Sequence, residues 1–412
     1  MFFRRWFSDG IVGVSPSLLG ATVVVGVASG AVGAAYLLAL HFLQHVLGPE
    51  RWGNVAEIGV LAATGAAVVV IREVLGRPGD VELLVDNIHV SGSAPGVRTL
   101  RSLVPMSLVT IAAGGAAGPE APLVTTCGTL AGWVARRRLL SADEARCLTI
   151  AGMAAAFSVL FAAPLGSALF ALEILHRRGM QYYEALVPAI VGSLSGYICY
   201  LALSRTGAAP IWRIPGIDRL YGTDLFWAAG AGVVGAGIAV GFTYLTLGLR
   251  RALRPLPARV RPIVGGLGLA ALAFWSPYAL TFGETQTGYV LAGHLALGAL
   301  VVAFTAKVFA TSLAVSSDWP GGFIIPLFFL GATMGQIAHL AFADARVGVV
   351  CAALMVAANV GVTKTLLGST LVVTEMGGLH LLPTTLLAAT IAFMLTSPTG
   401  LIHSQRERTA TG

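Results

Sequence analysis

The chain has 412 residues, of which 56% are hydrophobic and 11% charged, with a mean hydropathy of +0.82. A soluble domain carries about 25% charged residues, so this chain has too few ionised groups to solvate a globular surface, and a large soluble α/β protein is excluded. The net charge of +7 comes mostly from arginines standing between apolar windows, as Arg136–Arg138 and Arg250–Arg251 do, which is the pattern of cytoplasmic loops and not of a nucleic-acid face.

From the start, Met1–Asp9 is basic and aromatic, and the apolar stretch after it is too long for a signal-peptide core. The chain is therefore expected to begin in the cytoplasm and run into a first span. Windows such as Leu18–Leu43, Ile150–Leu175 and Leu366–Leu395 each exceed the about 20 residues needed to cross a hydrocarbon core. Gly and Pro interrupt the apolar sequence at Gly92–Gly96, Gly114–Pro122, Pro164–Gly166 and Pro320–Pro326. Such interruptions are tolerated at membrane depth only where backbone lines a protein cavity. Trp52, Tyr182, Tyr183 and Trp212 read as interfacial anchors. Cys127, Cys147, Cys199 and Cys351 form no CxxC pair and read as small packing residues. Both termini carry arginine, at Arg4–Arg5 and at Arg406 with Arg408.

The sequence repeats itself. Leu165-Gly-Ser-Ala-Leu-Phe-Ala-Leu-Glu173 and Leu367-Gly-Ser-Thr-Leu-Val-Val-Thr-Glu375 share LGSxLxxxE at an offset of 202 (375 − 173). Met153-Ala-Ala-Ala and Met355-Val-Ala-Ala share that offset, and Gly118–Pro122 reads against Gly322–Pro326 at 204 (322 − 118). Two halves with breaks in corresponding positions point to a transport site near the midplane. The expected division is residues 1–205, a connection over 206–223, and residues 224–412.

Glu120 follows Pro119 at a predicted helix start within the bilayer. Free N–H groups and the helix dipole attract an anion there, and the carboxylate can occupy that site itself or swing out to admit a free anion. Ionisable groups at membrane depth are expensive, which marks them as functional. Phe323 and Ile324 open the partner break of the second half, where backbone donors suffice. Ser91 or Ser93 offers a hydroxyl in the first break. Glu173 reads as an ion-pair partner of Arg177 one turn on, Lys307 as structural, and Lys364 as either structural or a positive charge along an anion path. No HExxH occurs, and Gly192-Ser-Leu-Ser-Gly196 lacks the GxSxG spacing, so an enzyme is not expected.

Gly118-Pro-Glu-Ala-Pro122 resembles the GREGP segment of the CLC family of chloride channels and transporters, and Gly322-Phe-Ile-Ile-Pro326 its GxFxP segment. Lys307 with Thr311 resembles the stretch before the latter. Ser91–Pro95 is similar to GSGIP, Leu169–Glu173 to LFxxEE, and Thr363–Glu375 to RAPLTxxxLVxE. The resemblance spans nearly the whole chain. It implies an all-α membrane protein with a CLC-type inverted repeat, many tilted and broken transmembrane helices, and a homodimer with one pore in each subunit.

It makes Glu120 the gating glutamate, with Gly118, Ala121, Phe323 and Ile324 around the anion. Aligned on Pro95, the family's central serine falls on Gly92, and Ser93 serves if the register shifts by one. Ile402 or His403 stands where a tyrosine usually closes the inner side. Pro119 replaces the usual arginine, and Ile174 occupies the position of the second, proton-transferring glutamate of the antiporters. The expected function is transport of chloride or another small anion through a pore gated by Glu120, passive or weakly proton-coupled. The alternative is a chloride/proton antiporter, or selectivity for fluoride, nitrate or bicarbonate. The expected setting is the bacterial inner membrane, crossed many times, with no cofactor, metal or nucleic-acid partner.

Overall fold

The structure, a computed structural model, describes residues 15–51, 53–79, 81–177, 180–205 and 209–405. Trp52, Arg4–Arg5, Arg406 and Arg408 lie outside the described residues. Sixteen α-helices and no β-strand occur among those described, in two series of eight. The first series is α1 (Pro16–Leu47), α2 (Asn54–Leu75), α3 (Val81–Ser91), α4 (Leu100–Ala112), α5 (Glu120–Arg137), α6 (Ala142–Phe161), α7 (Pro164–Glu173) and α8 (Leu186–Ser204). The second is α9 (Gly222–Leu253), α10 (Arg261–Trp275), α11 (Glu284–Leu291), α12 (Leu297–Ser316), α13 (Ile324–Ala341), α14 (Val347–Thr363), α15 (Leu366–Gly377) and α16 (Leu382–Thr396).

Each helix has its counterpart eight places on. The counterparts α1 and α9 both have 32 residues, and α5 and α13 both have 18. Members of the short pair, α7 and α15, have 10 and 12, too few to cross about 30 Å of hydrocarbon. Among the described residues, eight helices are long and apolar enough to cross a bilayer. The fold is an inverted repeat of spanning and broken helices.

Local chemistry sets the helix ends. Ser15 caps α1 by accepting from the Leu18 N–H, with Pro16 at the first helical position. Ser141 and Glu144 form a reciprocal capping box at the start of α6. That helix stops at Ala162, which is left-handed at φ 53°, and Pro164 opens the next one. Its counterpart α14 stops at Lys364, φ 65°. Both α6 and α14 are sheathed by other helices and buried almost throughout. Glycine permits the closest approaches: a Cβ on Gly30 would strike the backbone carbonyl of Gly196, so α1 and α8 meet backbone to backbone. Gly192 and Ser193 belong to the same packing, the Ser193 hydroxyl donating to the Pro164 carbonyl at 2.6 Å.

Two carboxylates tie the halves together. Glu173, ending α7, accepts from the Leu367 and Gly368 N–H groups at 3.1 and 2.7 Å, at the start of α15. Glu375, on α15, accepts from the Gly166 N–H at 2.5 Å, at the start of α7. Each short helix thus carries the acid that caps the other. The expected partnership of Glu173 with Arg177 gives way to these two amides, which satisfy a buried carboxylate without taking a second charge out of water.

Candidate anion-transport site

The breaks before α5 and α13 meet at the centre of the molecule. Gly118 and Gly322 exchange backbone hydrogen bonds, N–H to carbonyl, at 2.7 Å in both directions. This antiparallel bridge brings two helix N-termini together. Neither Pro119 nor Phe323, the residues preceding the helices, provides a side-chain cap, so first-turn amides stay available to a ligand.

Glu120 fills that place. It is fully buried, and its Oε1 accepts from the Ile325 N–H in the first turn of α13. Its Oε2 has no partner among the described residues. A Cβ on either Gly118 or Gly322 would run into the carboxylate, so both positions need glycine for the close approach. Behind α13, the Asn359 amide donates to the Ile324 carbonyl at 3.0 Å and fixes the helix start.

Two cavities adjoin this point. The larger, about 1060 Å³, is lined by Glu120, Ala121, Phe323, Ile324, Ile174 and Ile402 at its deep end. Arg72, Arg250, Arg254 and Arg261 stand at its rim. Asp318 lies 3.5 Å from Arg72 and 3.9 Å from Arg261, and Glu82 lies 3.5 Å from Arg250. With Arg77 and Glu73 also in the lining, five arginines stand against three acids, and the rim stays net positive, a setting that favours anions. The smaller cavity, about 200 Å³, lies across the break and is lined by Pro119, Ile325, Glu284, His41, Tyr197 and Tyr200. Glu120 thus stands between the two chambers, its carboxylate on the Ile325 amide at the start of α13.

The sequence profile of the family described as "Voltage gated chloride channel" matches residues 81–397. The chain belongs to the CLC family. A chloride/fluoride channel protein of Pseudomonas syringae pv. tomato is 26% identical over 410 residues, covering 93% of this chain and 85% of the relative. The H(+)/Cl(-) exchange transporter ClcA of Citrobacter koseri is 25% identical over 429 residues, covering 91% and 89%. Among solved structures, a CLC-type fluoride/proton antiporter superposes with a TM-score of 0.82 at 21% identity, covering 95% of this chain and 98% of that one. As a CLC protein the chain is a multi-pass membrane protein of an anion-transporting family.

The structure brings most of the sequence-predicted site together. Gly118 and Glu120 meet Gly322 at the break, and Ala121, Phe323, Ile324, Ile174 and Ile402 line the same cavity. The amide on Glu120 is that of Ile325, one residue beyond the predicted donors. Of the two candidates for the inner side, Ile402 lines the cavity and is buried, whereas His403 is exposed. Gln405 pins that segment: its buried amide donates to the carbonyls of Ile174 at 2.9 Å and Thr363 at 2.7 Å.

Gly92 and Ser93 fall elsewhere. They follow the C-terminal end of α3, where Gly92 (φ 65°) packs on the Ala142 carbonyl and the Ser93 hydroxyl accepts from Arg136 at 3.2 Å. What reaches the cavity is the opposite end of that helix, preceded by Gly76-Arg-Pro-Gly79, roughly 16 Å away along the axis at 1.5 Å per residue. The signal was present as a Gly/Pro cluster before a short helix. Sequence reasoning also passed over Glu284. Trp212, expected at an interface, is buried, donates to the Glu284 carbonyl at 2.7 Å and packs on Phe328. Lys307 is spent on the Leu280 and Thr281 carbonyls and Gln286, and Lys364 on Gly361 and Thr396.

Proposed function

We propose that this protein exchanges a small halide, chloride or fluoride, for protons, with Glu120 as the group that both binds the proton and yields its place to the anion. The observation that carries the reading is a single buried carboxylate set on the α13 amides between two chambers. Ionised, Glu120 competes with the anion for the amides. Protonated, it loses the charge that holds it there, and the anion enters. Anion flux therefore rises as pH falls.

Ile174 had favoured a passive or weakly coupled pore. Exchange fits better with the relatives named for proton exchange, and an acid at position 174 is dispensable if another group delivers protons. Ala121, the Phe323–Ile325 amides and the start of α3 after Gly79 are the proposed anion donors, with Gly118, whose own N–H is held by Gly322, giving room for the anion and Ile402 as the inner barrier. Ser93 and Gly92 are left out of this set because neither reaches the cavity.

By the positive-inside rule the arginine-rimmed cavity opens to the cytoplasm, in what is proposed to be a bacterial inner membrane. A homodimer and two repeats divided at 206–223 belong to the same proposal. The test is reconstitution in liposomes under a halide gradient with a pH reporter. We expect halide-driven proton movement in the wild type and none in Glu120→Ala. Halide flux no faster than in empty liposomes, or flux untouched by Glu120→Ala, would refute the reading.

A further inference from the structure

Position 174 carries no acid, yet the chain gathers titratable rings two residues later. His176 is 1% exposed, and its ring centre lies 5.1 Å from that of His89 on α3 and 5.0 Å from that of Tyr182. His89 Nε2 is 2.8 Å from the Leu175 carbonyl. A carbonyl only accepts, so Nε2 carries the hydrogen. Nδ1, 2.9 Å from the Tyr182 hydroxyl, then accepts the phenol hydrogen.

Among the described residues, the charged groups facing the cluster include Arg146, paired with Asp143 at 2.7 Å. Arg146 lies 4.6 Å over the Tyr182 ring, Asp86 sits one turn earlier on α3, and the Arg177 side chain packs against Gly400. Glu173 is turned away onto α15. Burial, with the neighbouring His89, pushes His176 down to about 4, so His176 stays a neutral imidazole. His89 and Tyr182 are half-buried while His176 is closed off, which gives the cluster a wet end and a dry end. The dry end is joined through Leu175 to Ile174, which lines the Glu120 cavity.

We propose that the His89–Tyr182–His176 cluster is the proton port on the arginine-rimmed side, taking the part of the acid absent at position 174. The proposal rests on the exchange reading above. A proton from water adds to the Tyr182 oxygen as the phenol's own hydrogen passes to His89 Nδ1. Two O–H bonds break, one in the hydronium that gives the proton and one in the phenol, one O–H and one N–H bond form, and His89 becomes imidazolium. Release of the Nε2 proton, on the Leu175 side of the ring, then leaves His89 neutral with its hydrogen on Nδ1, and a turn of the ring restores the starting tautomer. Cavity water then takes the proton past Ile174 to Glu120.

The experiment measures proton and halide flux in the same liposomes for wild type, H89Q/H176Q, Tyr182→Phe and H89Q/H176Q combined with Ile174→Glu. A positioned proton-transfer group contributes about 10²-fold or more. The double variant is therefore expected to lower the proton-to-halide ratio at least about tenfold while halide flux stays within about twofold. Tyr182→Phe keeps the ring under Arg146, loses only the hydroxyl, and is expected to slow proton uptake alone. Ile174→Glu in the double variant is expected to restore coupling, which a merely structural role for the histidines does not predict. Wild-type coupling retained in both H89Q/H176Q and Tyr182→Phe would overturn this inference and leave the exchange reading standing. A wild type that moves halide without protons would overturn both.

Discussion

The helix starts at α7 and α15 and those at α5 and α13 meet the same electrostatic demand with different numbers of acids. At the short helices the arrangement is symmetric: Glu173 caps α15 and Glu375 caps α7, one carboxylate for each N-terminus. At the centre, two N-termini joined by the Gly118–Gly322 bridge share one carboxylate, Glu120. Its repeat-related position, 204 residues on, is Ile324. The completed pair holds the halves together. The incomplete pair leaves amide donors without a second carboxylate, and that shortage is what the proposed anion site uses.

The largest effect should come from removing the single central acid. Glu120→Ala is expected to abolish halide-driven proton movement and to flatten the pH dependence of halide flux, a loss of about 10²-fold or more in proton rate read with a pH dye. Supplying the missing acid makes the converse test. Ile324→Glu should cut halide flux at pH 7 about tenfold, because a second carboxylate repels the anion, and flux should recover as pH falls and the acids protonate. Unchanged flux in this variant would mean that the lone acid is not what keeps the site open.

Glu375→Gln acts on the symmetric pair instead. It should lower stability by about 1–3 kcal/mol through weaker acceptance from a buried amide, seen as a lower Tm in detergent, with flux per folded molecule preserved. The smallest change is expected from Gln405→Leu. Freeing the carbonyls of Ile174 and Thr363 loosens the segment carrying Ile402 and raises uncoupled halide leak about threefold, or ~0.6 kcal/mol in the barrier. A leak equal to wild type would separate Gln405 from the inner barrier.

The central site was legible because its chemistry is local: Gly118, Glu120 and Gly322 announce themselves by residue type, and the repeat puts them in register. The pairing of Glu173 was not, since its partners are backbone amides that any residue supplies. Ser91–Pro95 misled for a related reason. A short motif of small residues matched, but a helix presents only its N-terminal end to an anion, and α3 begins after Gly79 and ends at Ser91. Trp212 reads as an anchor by its type and lies inside because Phe328 and the Glu284 carbonyl receive it. The helical membrane architecture followed from the apolar windows and the two-fold repeat from LGSxLxxxE, whereas the inversion followed from the family resemblance.

A thin septum also concentrates voltage. Glu120 faces the larger cavity while its neighbours Pro119 and Ile325 face the smaller one, so with electrolyte in both chambers the membrane potential drops across little more than one side chain. Carrying a full charge through that drop is worth about 2.3 kcal/mol per 100 mV. In the exchange proposed above, the motion of a single carboxylate between chambers would be enough to make turnover electrically driven, without a dedicated row of gating arginines.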